Sequence, residues 1–113
     1  MTFDDGVLTI CQVTNRASPG MKPEPVLREK ESYYFGYETL GVQRYYTAMQ
    51  AKQRIEAVVC VPDWGDIQTE DICIMESGRQ YKIAMSQPTT DIDNLRITRL
   101  SLERLEENYV IQN

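Results

Sequence analysis

Residues 54–61 read RIEAVVCV, a nearly continuous apolar run ended by Pro62, Asp63 and Gly65. The run is too short for a buried helix and is β-branched, so it specifies a strand covered on both faces, the most buried of the chain. Other strands must flank it. Residues 6–13 alternate Val7, Thr9, Cys11 and Val13 against Leu8, Ile10 and Gln12, the period-two pattern of a second strand. Residues 26–38 combine alternating charge with Tyr33, Tyr34, Phe35 and Tyr37, a strand with an aromatic face in which Gly36 marks a bulge. Two short strands, residues 71–75 and 80–85, are joined across Glu76-Ser77-Gly78-Arg79 as a hairpin with a glycine-containing turn.

Residues 88–94 read as a polar loop, and residues 95–104 alternate as a last strand, although LSLERLEE at its end also has helical spacing. Two segments break the strand pattern. Residues 15–25 hold Ser18, Pro19, Gly20, Pro23 and Pro25, a succession of helix and ladder breakers that makes a long exposed loop. Residues 41–52 place Val42, Tyr45, Tyr46, Ala48 and Met49 at three- and four-residue spacing, the signature of one short helix. The expected fold is mainly β: a small antiparallel β-barrel or sandwich of about six strands with one short helix and long loops. No composition shift divides residues 1–113, so a single domain is expected.

The chemistry-bearing residues are sparse. Histidine is absent, so a catalytic centre would have to use carboxylates, lysine, tyrosine or cysteine, and no such set stands out. Cys11, Cys60 and Cys73 have none of the spacings of a zinc site or redox pair and read as buried reduced thiols. Asp91-Ile92-Asp93-Asn94 resembles the opening of a calcium loop but lacks its glycine and distal glutamate, leaving a solvated turn. The glycines stand singly at turns and form no phosphate cradle. No catalytic residue, cofactor or metal is expected.

The formal charge is -5, opposite in sign to that of a nucleic-acid binder, which draws its affinity from neutralised phosphates. An acidic wall would instead let a polyanion slide past. No run reaches the roughly 18–20 apolar residues of a membrane-spanning helix, and MTFDDG carries acids where a secretory signal carries bases, so a soluble cytoplasmic chain is expected. Tyr33, Tyr34, Tyr37, Tyr45 and Tyr46 crowd one stretch, and tyrosine is enriched at partly wet interfaces. A subunit interface and plain core capping are both open readings. Arg28, Lys30 and Arg44 beside these rings form a nucleic-acid platform only weakly, since Glu29, Glu31 and Glu38 dilute them.

In order along the second half come Tyr46-x-Ala48-x-Gln50, the strand from Val58 to Val61 ending in Pro62, Ile67-x-x-x-Asp71-Ile72, Gly78-x-x-Tyr81-x-Ile83, and Leu95-x-x-x-x-Leu100-x-Leu102-Glu103-Arg104. This succession resembles the tailed-phage head-closure proteins, also called head-tail joining or stopper proteins, and residues 6–11 and 33–41 are similar to their opening strands more loosely. The resemblance implies a small β-barrel that assembles as a ring beneath the portal and adaptor rings, closes the DNA exit channel after packaging and offers a docking surface to tail-terminator proteins. It implies a virion protein made in the bacterial host cytoplasm, without enzymatic activity or cofactor, that passes DNA without specific binding and is a monomer or weak oligomer when free. A segment between early strands faces the channel in such proteins. Its counterpart here is the helical stretch, with Gln43, Arg44, Tyr45, Tyr46, Met49 and Gln50 as candidate channel-facing or interface residues. Arg16, Met21 and Lys22 in the breaker-rich loop are candidate partner contacts. Two alternatives stand beside this: a tail-completion or adaptor component of a phage or prophage, and an oligonucleotide-binding type of small barrel.

Overall fold

A computed structural model describes residues 3–15, 17–38, 55–105 and 107–111. They form seven strands: β1 (Gly6–Asn15), β2 (Pro25–Glu38), β3 (Ile55–Pro62), β4 (Ile72–Met75), β5 (Gln80–Thr90), β6 (Arg96–Arg104) and β7 (Val110–Ile111). The mainly β class is the one expected. The helix expected over residues 41–52 lies outside the described residues.

Six strands join into a ring in the order β1-β4-β5-β6-β3-β2, closed by the pairing of β2 with β1 and antiparallel throughout. The ring is uneven. β5 and β6 pair over most of their lengths, whereas β2 meets β3 only from Gly36↔Cys60 to Glu38↔Val58. Closure gives each of these strands a partner on both sides, which hides most of the backbone edge.

The side chains that alternate inward fill the ring. Leu8 and Ile10 of β1, Phe35 of β2, Val59 and Val61 of β3, Cys73 of β4, Ile83 of β5 and Leu100 and Leu102 of β6 form one buried cluster. Burial of each such aliphatic side chain stabilises the fold by about 1.5–3 kcal/mol. β3 is buried on both faces as its composition requires, since Val58, Val59, Cys60 and Val61 are all buried. Ile67, from the loop after β3, joins the same cluster. Asp71 fixes that loop: its carboxylate accepts the Gln68 N–H at 2.9 Å and the Lys30 ammonium at 2.8 Å. Gly65 is required where the loop passes Tyr33, because a Cβ there would overlap the tyrosine hydroxyl.

The β4–β5 hairpin has the anticipated turn. Gly78 donates to Met75 O, Met75 donates to Arg79 O, and Gly78 takes φ +90°, the left-handed position that closes a three-residue loop.

The bulge expected at Gly36 is not found there: Gly36, Tyr37 and Glu38 pair in unbroken register with Cys60, Val59 and Val58, and the irregularity of β2 falls instead opposite the step from Ile10 to Cys11. Two further expectations need correction. The polar loop expected over residues 88–94 is shorter, because β5 continues to Thr90 and Pro88 lies within it opposite Thr98. Beyond Ile83, β5 pairs only with β6 among the described residues, and a strand with one open side tolerates a residue that lacks an N–H. What remains is a tight turn in which Asp91 Oδ1 accepts the Asp93 and Leu95 N–H groups and Asn94 takes φ +62°. The second correction is β7, unforeseen and parallel to β2 beside Val26 and Leu27.

β1 and β2 outrun the ring. Past Cys11 the first strand has left β4 behind, and Gln12 to Asn15 pair only with Arg28 back to Pro25. The register shift between Ile10 and Cys11 marks where this arm begins, and β7 flanks it beside Val26 and Leu27. With the arm the molecule measures 50 × 29 × 23 Å.

Candidate functional site

β2 sets the geometry of the accessible surface. At roughly 3.3 Å per residue its 14 residues span on the order of 43 Å from Pro25 to Glu38. The breaker-rich loop enters at the first end. At the other end the chain leaves β2 after Glu38 and returns at Ile55, the start of β3. The two segments singled out as candidate contact regions are therefore carried at opposite ends of one strand.

At the arm end, Asn15 organises the base of the loop by accepting the Ala17 and Glu24 N–H groups on Oδ1, both at 3.0 Å. Met21 and Lys22 are exposed there, as a contact loop requires. Arg16 lies outside the described residues, as do Gln43, Arg44, Tyr45, Tyr46, Met49 and Gln50.

The aromatic stretch splits by strand alternation. Tyr34 points to solvent and is 67% exposed, while Phe35 is buried in the core and meets Tyr37 edge-on at 5.2 Å between ring centroids. Tyr37 itself is exposed at the end where β2 stops. Tyr33 is half-buried against Gly65, and burial, followed by the charge of Glu31, pushes its phenol above the ordinary value. These tyrosines thus share work between core capping and open surface.

Of the platform of bases and rings, Arg28, Lys30 and Tyr33 line one groove among carboxylates, and Arg44 lies outside the described residues. Lys30 is committed to Asp71 at 2.8 Å and Asp66 at 3.4 Å, in an open groove of about 410 Å³ whose other walls include Glu29 and Glu31. Arg99 of β6 is likewise held by Glu38 at 2.6 Å. Cations paired with carboxylates have little left for phosphate.

All three cysteines are buried, and none is in a disulfide. Burial first, then Glu29 and Asp71, raises the Cys11 thiol to about 11, and burial raises Cys73 to about 12. Such thiols stay protonated and unreactive near neutrality. Among the described residues no group of three or more His, Cys, Asp and Glu side chains could hold a metal ion.

One surface feature escaped the sequence reading. Trp64 is pinned beside the strand ends: its indole N–H donates to Thr89 O at 2.8 Å, and Arg96 lies over its ring at 4.6 Å. The Asp63 N–H donates to Arg96 O and the Thr98 hydroxyl to Asp63 O, which fix the turn that presents it. Nearby, Leu95 is exposed and Ile92 is 97% exposed on the Asp91 turn. The available signal was a lone tryptophan between Asp63 and Gly65, in a turn rather than a strand.

These features define a small β-barrel with an extended arm. No protein-family model and no curated protein matches the chain. Among solved structures, the solution structure of protein SF1141 from Shigella flexneri 2a is similar, with a TM-score of 0.60 over 90% of this chain and 94% of that one. Sequence identity is 14%, so the likeness shows the fold alone.

Proposed function

We propose that this chain is a structural connector subunit of a tailed phage or prophage, which assembles as a ring under the portal and adaptor, closes the DNA exit channel and receives the tail. The observation that carries the reading is the placement of two long connecting segments at opposite ends of the 14-residue strand β2. A connector must touch two different neighbours at once, and an elongated barrel with a contact segment at each end meets that need without a catalytic centre.

Two further features support it. Of the ordered motifs that resemble head-closure proteins, Tyr46-x-Ala48-x-Gln50 lies outside the described residues, and the others fall on β3, the Ile67 to Asp71 loop, the β4–β5 hairpin and β6 with the residue before it. They are mostly core and turn positions, so they speak for the barrel rather than for particular contacts. The net charge of -5, with Lys30 and Arg99 tied to carboxylates, suits a lumen that DNA must cross without being gripped.

The test is electron microscopy of particles made without this gene. Filled heads that leak DNA beside separate finished tails, with joining restored by the purified protein, are the expected result. Normal joined particles would remove the reading.

A further inference from the structure

Where the β4–β5 turn meets the end of β6, Ser77, Arg79, Arg104 and Asn108 line an open groove of about 520 Å³, with Leu105 as an apolar wall. No carboxylate is among the described residues that line it. Strand register brings the two arginines together. Arg104 stands opposite Tyr81 and Arg79 precedes Tyr81 by two residues, positions that share one face of a sheet. The buried Tyr81 phenol draws the Arg79 guanidinium, ahead of the charge of Glu56. Neither arginine is in an ion pair among the described residues, and the Arg104 side chain is exposed.

The other polar groups of the groove are also donors. The Ser77 hydroxyl accepts the Arg79 N–H at 3.4 Å, which leaves its own hydrogen to point outward. Gln80, only 5% exposed, donates from Nε2 to Tyr109 O at 3.0 Å and accepts the Tyr109 N–H on Oε1 at 2.8 Å. That clamp holds the neighbouring Asn108 at the rim, exposed.

Elsewhere the surface treats its cations differently. Lys82, next to Tyr81, is paired with Glu70 at 3.4 Å and Glu103 at 3.7 Å, and Lys30 and Arg99 are held by carboxylates as well. Glu76, the residue before Ser77, is engaged by the Val7 N–H at 2.7 Å. In a chain with 17 acids and 12 bases, two guanidiniums thus face one groove without an acid between them. Their mutual repulsion is relieved by an anion from outside, and planar guanidiniums match a carboxylate in geometry.

We propose that this groove recognises a carboxylate on an acidic segment of a partner protein, gripped by Arg79 and Arg104 with Ser77 and Asn108 donating beside them. A nucleic-acid strand carries similar oxygens, but a long polyanion must lie along a protein of net charge -5, whereas an acidic side chain enters the groove alone. The inference goes beyond the connector reading and is measured on the purified protein, so the particle experiment tests that reading separately.

The experiment is an NMR titration of the isotope-labelled chain at low salt with hexaglutamate capped at both ends, with hexaglutamine and with a thymidine hexanucleotide. Hexaglutamate should shift the Asn108 side-chain amide and the Arg79 and Arg104 Nε–H resonances to saturation, and hexaglutamine should not. Arg104→Gln, which removes no contact within the fold, should keep the parent's melting temperature yet weaken hexaglutamate binding about tenfold. Arg28→Gln removes the same charge from an exposed arginine of the groove around Lys30 and should weaken it less than about twofold. Three results would overturn the site: equal shifts from hexaglutamate and hexaglutamine, equal weakening by Arg28→Gln and Arg104→Gln, or tighter binding of the hexanucleotide in the groove.

Discussion

Asp71 offers the sharpest test of what holds the loop after β3. The residue is 8% exposed and its Oδ2 accepts from both the Gln68 N–H and the Lys30 ammonium. Replacing it with alanine removes two hydrogen bonds to a charged acceptor, a gross loss of about 3–6 kcal/mol at roughly 1.5–3 kcal/mol each. Part returns, because Lys30 retains Asp66 at 3.4 Å and its side chain is 15% exposed, enough to regain some hydration. The net cost expected for Asp71→Ala is about 3 kcal/mol. In a domain of this size that lowers the melting temperature by roughly 12 °C, at about 4 °C per kcal/mol. Urea denaturation followed by circular dichroism measures it, together with Lys30→Ala and the double variant. Their cycle should return a coupling of about 1–2 kcal/mol. If Asp71→Ala unfolds within about 0.5 kcal/mol of the parent, the carboxylate does not hold the loop and the reasoning fails.

Other outcomes follow from the same geometry. Leu100→Ala, at a fully buried β6 position, should cost about 3 kcal/mol by chemical denaturation. Gly65→Ala should destabilise by about 1–3 kcal/mol through overlap with Tyr33, and Tyr33→Ala in the same chain should relieve the clash, so that the two losses do not add. Stability should fall in alkali: the Cys11 and Cys73 thiols ionise near 9.0 when unfolded but only near 11 and 12 when folded, so their contribution is complete below 9.0 and lost through that window. Lys30 acts in the same direction. Burial lowers its pKa, but the hydrogen bond and charge of Asp71, aided by Asp66, raise it above 10.5 on balance, so its contribution also fades as pH climbs past that value. Urea midpoints from pH 7 to 11 read both; a flat profile would contradict them. Labelled DNA should show no salt-dependent shift with the purified protein, and a clear shift would favour the oligonucleotide-binding alternative.

The strands were legible because this chain writes them locally. Val58 to Val61 is buried on both faces and reads as a continuous apolar run, while β1 alternates as a strand with one covered face should. Gly78 marked its turn because no other residue takes φ +90° without strain. Pro88 misled for a physical reason: a missing N–H forbids a strand only where a neighbour needs that donor. β7 left no trace, since two residues carry no period and their place depends on Gln80, far away in sequence. The partnering of β1 with β4 and of β3 with β6 is likewise a property of closure, not of any one segment. As to the candidate sites, loop composition located Met21 and Lys22 in the open. The Trp64 surface was missed because it is assembled from Asp63, Thr89, Arg96 and Thr98, brought together only by the fold.

The closed ring also dictates when the protein can fold. Leu8 stands opposite Met75, and β3 is covered by β6, with Val59 beside Leu100. During synthesis the first strand must therefore wait for the fourth, and the apolar run of β3 stays bare until residues near Leu100 have left the ribosome. The β1–β2, β4–β5 and β5–β6 hairpins can form from neighbouring sequence, and each presents an unfinished face. Pairings between distant parts of a chain close slowly. A cell producing many copies at once would hold a pool of nascent chains with a sticky strand uncovered, so chaperone supply, rather than finished-state stability, would set the yield.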